Sequence, residues 1–244
     1  MSDIQPVIKL LTSAGVGSRR EVARLIKEAK VTVNGEVIES FLYPVDRFKD
    51  IVAVENRPVK FDIQDNTYLV LNKPKGILTS TEDPHGNNTV IDILPDKYKN
   101  LHLFPVGRLD RETTGLVLLT NDGDLAYRLT HPRYEHKREY LVKIDGKLSQ
   151  NEVSLIENGI ELEDGITAPA KVKSVNGHFD YSIILHEGRK RQVRRMFAAL
   201  GHQVRDLKRV RIGNLYLGDL REGEFRELSS SEVKKLKNLV FSKP

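Results

Sequence analysis

A carboxylate held between two arginines is the first chemistry the sequence offers. It stands in the run Gly107-Arg108-Leu109-Asp110-Arg111-Glu112-Thr113-Thr114-Gly115-Leu116-Val117-Leu118-Leu119-Thr120-Asn121-Asp122-Gly123. The apolar stretch is short enough for a buried strand, and Asn-Asp-Gly reads as the turn that closes it. Asp110 is therefore expected on a loop or strand edge feeding a rigid core element, where a reactive side chain is held firmly. An ionised carboxylate in such a place can attach to an electrophilic carbon and later leave it. The competing reading is a loop residue in a surface ion pair, and the local pattern leaves both open.

A second concentration of charge lies downstream. From Glu187-Gly188-Arg189-Lys190-Arg191-Gln192-Val193-Arg194-Arg195-Met196 the chain runs on to Arg205, Lys208, Arg209 and Arg211. The spacing predicts a helix over 190–200, with Val193, Met196, Phe197 and Leu200 on one face and Gly201 as its stop. Cations threaded through an apolar face belong to a folded surface, not to an exposed targeting signal.

The elements that must position these groups fall into two parts. Residues 6–62 read as a small module. Val7, Ile8, Leu10 and Leu11 suggest a helix stopped by Gly15 and Gly17. Ser18 with Glu21 has capping-box spacing, so a second helix should run from Arg19 to about Ala29. Val31-Thr32-Val33, Asn34-Gly35 and Glu36-Val37-Ile38 form a hairpin pattern, and Ile51 to Val54 reads as a further strand. On the second helix Arg20, Arg24 and Lys27 share one face. Arg19 and Arg20 occupy the first turn, where the helix dipole disfavours cations. A solvated surface is the plain alternative; a phosphate-binding stripe explains the layout better.

A polar stretch from Phe61 to Thr67 reads as a linker to a large α+β domain over 66–244. There Tyr68 to Leu71, Tyr140 to Ile144, Ala170 to Val175 and Tyr181 to Leu185 read as strands. Asn72-Lys73-Pro74-Lys75-Gly76 reads as a turn. Ser149 with Glu152 opens a capped helix ending near Gly159, and residues 230–240 form a last helix. Few of these elements alternate as βαβ units, so the expected sheet is mixed and mostly antiparallel.

Composition narrows the function classes. The chain has 244 residues, 39% hydrophobic and 30% charged, with no cysteine, which excludes disulfides and thiolate metal sites. No apolar stretch approaches the roughly 20 residues that span a bilayer. The N-terminus lacks the pattern of a signal peptide, so a cytoplasmic protein without membrane attachment is expected. A net charge of +5 and a pI near 9.2 give a moderate basic bias, whose placement matters more than its sum. His131 and His136 are not at ligand spacing, and His85, His102, His178, His186 and His202 are scattered, so no metal is expected. Gly15-Val16-Gly17 has no strand before it and is no dinucleotide fingerprint.

The run from Gly107 to Gly123 resembles the signature of bacterial ribosomal-RNA pseudouridine synthases, in the branch carrying an N-terminal S4-like RNA-binding module. Leu71-Asn72-Lys73-Pro74-Lys75-Gly76 resembles that family's first core motif. Arg138-Glu139-Tyr140 resembles its basic-x-Tyr motif, with Arg in place of the usual Lys. Glu187 to Met196 resembles its third. Ala14 to Ala23 and Val31 to Gly35 resemble the S4-like module. The likeness extends to about Glu227. It implies a small S4-like module followed by a catalytic domain built on a bifurcated, mostly antiparallel sheet, with the active cleft across its middle.

The same resemblance implies the chemistry. A specific uridine is isomerised to pseudouridine in ribosomal RNA, with Asp110 as nucleophile after the target base is turned out of its stack. Tyr140 would stack on the uracil and help remove the C5 proton. Arg194 would pair with Asp110, with Arg189 and Arg195 as rivals for that position. Lys73, Lys75, Arg108 and Arg111 would hold RNA backbone, together with Arg189, Lys190, Arg191 and Arg195 of the basic segment and Arg19, Arg20, Arg24 and Lys27 of the small module. The rearrangement is internal to one nucleotide, so no cofactor or metal is expected. The expected partner is ribosomal RNA or a pre-ribosomal particle, met by a monomer. Thr130-His131-Pro132-Arg133-Tyr134-Glu135 and Lys208-Arg209-Val210-Arg211-Ile212-Gly213 resemble the large-subunit members, which favours large-subunit RNA.

Two other readings compete. A non-catalytic RNA-binding assembly factor would keep the module and the basic cleft, but it gains nothing from a buried acid facing phosphates. A glycosidase-like hydrolase would need a second acid across the cleft, and Glu112 is too near in sequence to serve.

Overall fold

The computed structural model describes residues 3–61 and 66–242, so most of the expected linker lies outside the described residues. The chain divides between residues 65 and 66 into two compact units.

The N-terminal unit contains β1 (Ile4–Pro6), α1 (Val7–Ser13), α2 (Arg19–Lys27), β2 (Val31–Val33), β3 (Glu36–Val37), β4 (Pro44–Asp46), β5 (Val52–Val54) and β6 (Arg57–Pro58). Ser18 and Glu21 form the full capping box at the start of α2, which satisfies two otherwise orphaned amides. Val22 and Ile26 turn inward to join Val7, Leu11, Val31 and Val45 in one core. Arg19, Arg20, Arg24 and Lys27 are left on the solvent side. The Asn34-Gly35 turn adopts positive φ at both positions, 54° and 88°, the geometry a two-residue hairpin between β2 and β3 demands.

The C-terminal unit runs β7 (Tyr68–Lys73), α3 (Asp96–Lys99), β8 (Phe104–Pro105), β9 (Thr114–Thr120), α4 (Gly123–Thr130), a 3-10 turn (Pro132–Tyr134), β10 (Arg138–Ile144), α5 (Gln150–Asn158), β11 (Glu161–Leu162), β12 (Gly165–Ile166), β13 (Lys171–Ser174), β14 (Tyr181–Leu185), α6 (Gln192–Ala199), β15 (Val204–Ile212), β16 (Leu215–Tyr216), β17 (Phe225–Glu227) and α7 (Ser230–Phe241). Its large sheet has the order β13-β14-β10-β15-β9-β7-β17. Neighbours are antiparallel except at β15–β9, where only Lys208↔Thr114 and Arg209↔Gly115 pair, in parallel. The sheet is thus two half-sheets joined over two residue pairs, the bifurcation the resemblance implied.

Alternation places the cores. Along β9, Leu116 and Leu118 face one side with Val70, Leu125, Leu129 and Leu236. Val117 and Leu119 face the other with Leu69, Leu71 and Leu109. A strand buried on both faces reads as the continuous apolar run seen in the sequence. Each such side chain contributes roughly 1.5–3 kcal/mol relative to exposure. The second half-sheet has its own core, into which α6 sends Val193, Met196 and Phe197.

One local expectation needs correction, and two elements go beyond the sequence reading. Asn72 and Lys73 are not in a turn: they end β7, fully buried, because the strand continues two residues beyond its apolar run. Asn121-Asp122-Gly123 turns the chain into a helix, as Asp122 accepts from the Leu125 amide at 3.0 Å and caps α4. The basic run from Arg205 to Arg211 is most of β15, a central strand. Among the described residues no helix is long and apolar enough to cross a membrane.

Candidate active site

Asp110 sits in the turn that delivers the chain into β9, immediately before the junction of the half-sheets. Its carbonyl accepts from the Thr113 amide at 3.0 Å. The preceding residue is clamped twice: Thr79 Oγ1 donates to the Leu109 carbonyl at 2.9 Å and accepts from the Leu109 amide at 3.2 Å. On the other side, the Gly76 amide donates to the Arg111 carbonyl at 3.0 Å, and Arg111 Nε donates to the Gly76 carbonyl at 3.1 Å. Backbone held at both neighbours fixes where the Asp110 side chain leaves the chain.

Lys73 completes this lattice from beneath. Its Nζ donates to the carbonyls of Pro74 at 2.8 Å, Ile77 at 2.9 Å and Arg111 at 3.1 Å. Burial pushes its pKa down to about 8, against the opposing pull of Glu112, Asp110 and Glu222. The expectation that Lys73 holds RNA is therefore corrected: it is wholly buried and ties the Pro74–Ile77 loop to the residue after Asp110.

The arginine nearest Asp110 is also not the expected one. Arg191 Nη1 lies 3.9 Å from Asp110 Oδ2, with half of the arginine side chain and a third of the aspartate side chain exposed (50% and 33%). Arg191 caps the N-terminus of α6 in the left-handed region, at φ 51°, a conformation that costs a non-glycine residue about 1–2 kcal/mol. Arg194 instead donates from Nη1 to the Val204 carbonyl at 3.0 Å and from Nη2 to the Glu112 carbonyl at 3.3 Å. Its pKa is lowered by burial and by Arg191, and Asp110, Glu112 and Asp206 oppose that shift. Arg194 thus borders the site without an ion contact to Asp110.

Arg189 and Arg195 leave the site altogether. Arg195 grips Asp164 with two bonds of 2.9 and 3.0 Å, and Arg189 binds Glu187 and the carbonyls of Asp164 and Gly165. Both guanidiniums hold the β11–β12 hairpin. Lys75 is half exposed but ion-paired with Asp206, whose other oxygen meets His178 Nε2 at 3.1 Å. Arg108, Arg111, Lys190 and Arg191 are exposed.

Tyr140 stands across the junction. In register it faces Ile183 on β14 and Arg209 on β15, beside an irregularity between Glu139 and Tyr140. Its ring packs against both the core of its own half-sheet and the core that contains Leu109. Asp110, four residues before Thr114, and Tyr140, paired with Arg209, therefore both lie near the β9–β15 seam. Thr113 Oγ1, Arg194 Nε and Arg209 Nη2 are buried without a hydrogen-bond partner among the described residues, although buried polar groups are normally paired. Thr79 and Arg191 as an acid's immediate supports were not legible in the sequence, since both contacts join segments distant in the chain. Among the described residues no group of His, Cys, Asp or Glu is arranged to hold a metal ion.

Such a seam, with a carboxylate on a clamped loop, a nearby tyrosine and a rim of cations, suits attack on an electrophilic carbon of a polyanionic substrate. Sequence comparison identifies the family. The family model described as RNA pseudouridylate synthase matches residues 67–199, and that of the S4 domain matches residues 5–52. The chain belongs to the RNA pseudouridine synthase family, as an S4-domain member, and is an enzyme of the isomerase class. It is 43% identical over 232 residues to an uncharacterized RNA pseudouridine synthase of Aquifex aeolicus (strain VF5), covering 93% of this chain and 92% of the relative. It is 42% identical over 239 residues to the ribosomal large subunit pseudouridine synthase B of Bacillus subtilis (strain 168), covering 95% of each. A solved pseudouridylate synthase superposes with a TM-score of 0.68 at 33% identity, covering 96% of this chain and 100% of that one.

Proposed function

We propose that this enzyme converts a uridine of large-subunit ribosomal RNA to pseudouridine, with Asp110 as the nucleophile. The observation that carries the reading is the mounting of Asp110: backbone clamped on both sides, carboxylate beside Arg191, Tyr140 near the seam. The likeness to the large-subunit enzyme of Bacillus subtilis supports the choice of RNA, alongside the sequence runs at 130–135 and 208–213.

In this reading the target nucleotide leaves its stack and enters the seam. The Asp110 carboxylate attaches to an electrophilic carbon of that nucleotide, and the bond from uracil N1 to the ribose breaks. The base turns, the ribose carbon bonds to C5, Asp110 departs and the C5 proton is lost while N1 takes up a proton. No atom is gained overall, so the chain's own groups suffice. Arg191 balances the carboxylate charge before attack, and Tyr140 stacks on the uracil and assists proton removal from C5. Arg108, Arg111, Lys75 and Lys190 rim the site for phosphates, with the α2 stripe as a second contact.

The test is to map pseudouridine by chemical labelling and reverse transcription in ribosomal RNA from cells with and without the protein. One large-subunit position should lose its signal without the protein, and purified protein in EDTA should restore it on isolated RNA or pre-ribosomal particles. An unchanged map, or a lost position confined to small-subunit RNA, overturns the reading of the substrate.

A further inference from the structure

The C-terminal end of α4 carries an aromatic and cationic surface that folding alone does not require. Leu125, Ala126 and Leu129 supply the helix's core contacts, while Tyr127 on the other face is 51% exposed. One turn on, the His131 ring lies 5.0 Å from that of Tyr127, tilted by 50°. Tyr134 beneath them is buried and meets the Tyr127 ring edge-on at 6.3 Å. The Arg128 and Arg133 guanidiniums stand over Tyr134 at 5.5 and 4.5 Å, and Arg128 also covers Phe241 at 4.8 Å. A buried ring locked by two cations makes a rigid base for the exposed one.

The chemistry of this surface matches unpaired nucleotides. An exposed aromatic ring with neighbouring guanidiniums offers a stacking face and phosphate contacts together. His131 Nδ1 accepts from the Arg133 amide at 3.3 Å, which places the proton of the neutral ring on Nε2, directed away from that bond. The surface also adjoins the catalytic loop: a β-carbon on Gly107 would lie 3.6 Å from Thr130 Cγ2. The segment leading to Arg108 and Asp110 therefore runs against the same last turn of α4.

We infer that Tyr127 and His131 form a stacking platform for an unpaired base of the substrate RNA outside the catalytic seam, with Arg133 meeting its phosphate. This rests on the reading of RNA as substrate and adds a specificity contact that the chemistry itself does not use. Stacking needs a base whose face is open, so the platform selects single-stranded or splayed RNA over duplex.

The chain contains no tryptophan, so Tyr127→Trp places a single tryptophan, excited apart from the tyrosines, at the platform. Leu155→Trp, at a half-exposed site on α5, is the control. Titration with a twelve-residue oligouridine should quench Tyr127→Trp and leave Leu155→Trp unchanged, and a blunt RNA duplex of the same length should quench neither. In parallel, Tyr127→Leu should weaken oligouridine binding about tenfold, within the range one stacked base supplies, with an unchanged salt slope, and Tyr127→Phe should restore it. Quenching absent while a fluorescein-labelled oligouridine still binds overturns the platform and leaves the enzyme reading intact. Equal quenching in both reporters, no binding of oligouridine, or Tyr127→Leu within twofold of the parent likewise overturns it. The pseudouridine map decides the enzyme reading separately.

Discussion

Gly115 and Arg209 face each other in the parallel pairing that joins β9 to β15, and a β-carbon on Gly115 would fall 2.2 Å from the Arg209 carbonyl oxygen. Gly115 also sits at φ 103°, outside the comfortable range of other residues. Arg209 is buried, and its Nε donates to the Leu116 carbonyl at 2.8 Å. The half-sheets can approach closely only because one partner has no side chain, and that approach brings Asp110 and Tyr140 to the same seam.

Gly115→Ala should therefore lower stability by at least about 2 kcal/mol, from positive φ and collision together. In a chain of this size that corresponds to a fall in Tm of about 4–8 °C. Activity measured below the new Tm should fall as well, because the seam widens. A variant with parental Tm and turnover would show that the junction tolerates a side chain.

Lys73→Met leaves the carbonyls of Pro74, Ile77 and Arg111 without their shared donor. The Arg111 carbonyl keeps the Gly76 amide, so two carbonyls lose their donor; at about 1–3 kcal/mol each the loss should be on the order of 3 kcal/mol. Thermal unfolding should show it, and turnover should fall more than RNA affinity, since the loop beside Asp110 loosens while exposed cations stay. If affinity falls and stability does not, Lys73 reaches RNA after all.

How far the sequence alone revealed this depends on how local each signal is. The Ser18–Glu21 and Ser149–Glu152 capping boxes and the Asn34-Gly35 hairpin were legible because their partners lie within a few residues. The doubly buried β9 was legible as an apolar run. β15 was hidden, because its charged residues find partners across the sheet: Arg211 with Glu139 at 2.8 Å, Arg209 with a carbonyl of β9. Arg191 could not be chosen over Arg194 from spacing, since the choice depends on a left-handed residue at the start of α6. Lys73 looked like a surface cation because nothing in its neighbourhood of the sequence announces three carbonyls converging on it.

Glu232 gives the fold an acid-sensitive joint. Arg226 binds it at 2.7 and 2.9 Å, Ser229 adds backbone and side-chain bonds, and its pKa is lowered to about 2. A carboxyl lowered in the folded state adds stability that is present above the ordinary glutamate range and is lost as pH falls through about 4.5 towards 2. Since α7 buries Leu236 and Val240 against the β9 core, the effect should appear in global unfolding. Glu232→Gln should have a lower Tm than the parent at pH 7, and the gap should close across that acid window. A gap that is constant down to pH 2.5 would remove Glu232 from the account.

Replacing Arg20, Arg24 and Lys27 together with Gln should weaken RNA binding without changing turnover at saturation. Arg24 makes a long exposed contact with Glu28, 3.9 Å at i,i+4, Lys27 lies over the Phe41 ring at 5.9 Å, and all three side chains stay on the exposed face. Each lost phosphate contact lowers the slope of log affinity against log salt by roughly 0.7–0.9, and all three by about 2 to 3. An unchanged slope would make the stripe a solvated face.

Asp110→Asn is the most direct test of the whole account. The amide is nearly the same size but a poor nucleophile, and Arg191 loses its counter-charge without leaving the rim. Tritium release from C5-labelled uridine in large-subunit ribosomal RNA should drop to background, a loss of at least about 10³-fold, as when an activated nucleophile is removed. RNA affinity, measured by filter binding on the same preparation, should stay within about threefold of the parent. Turnover near the parental rate in Asp110→Asn would contradict the nucleophile and, with it, the mechanism built on this seam.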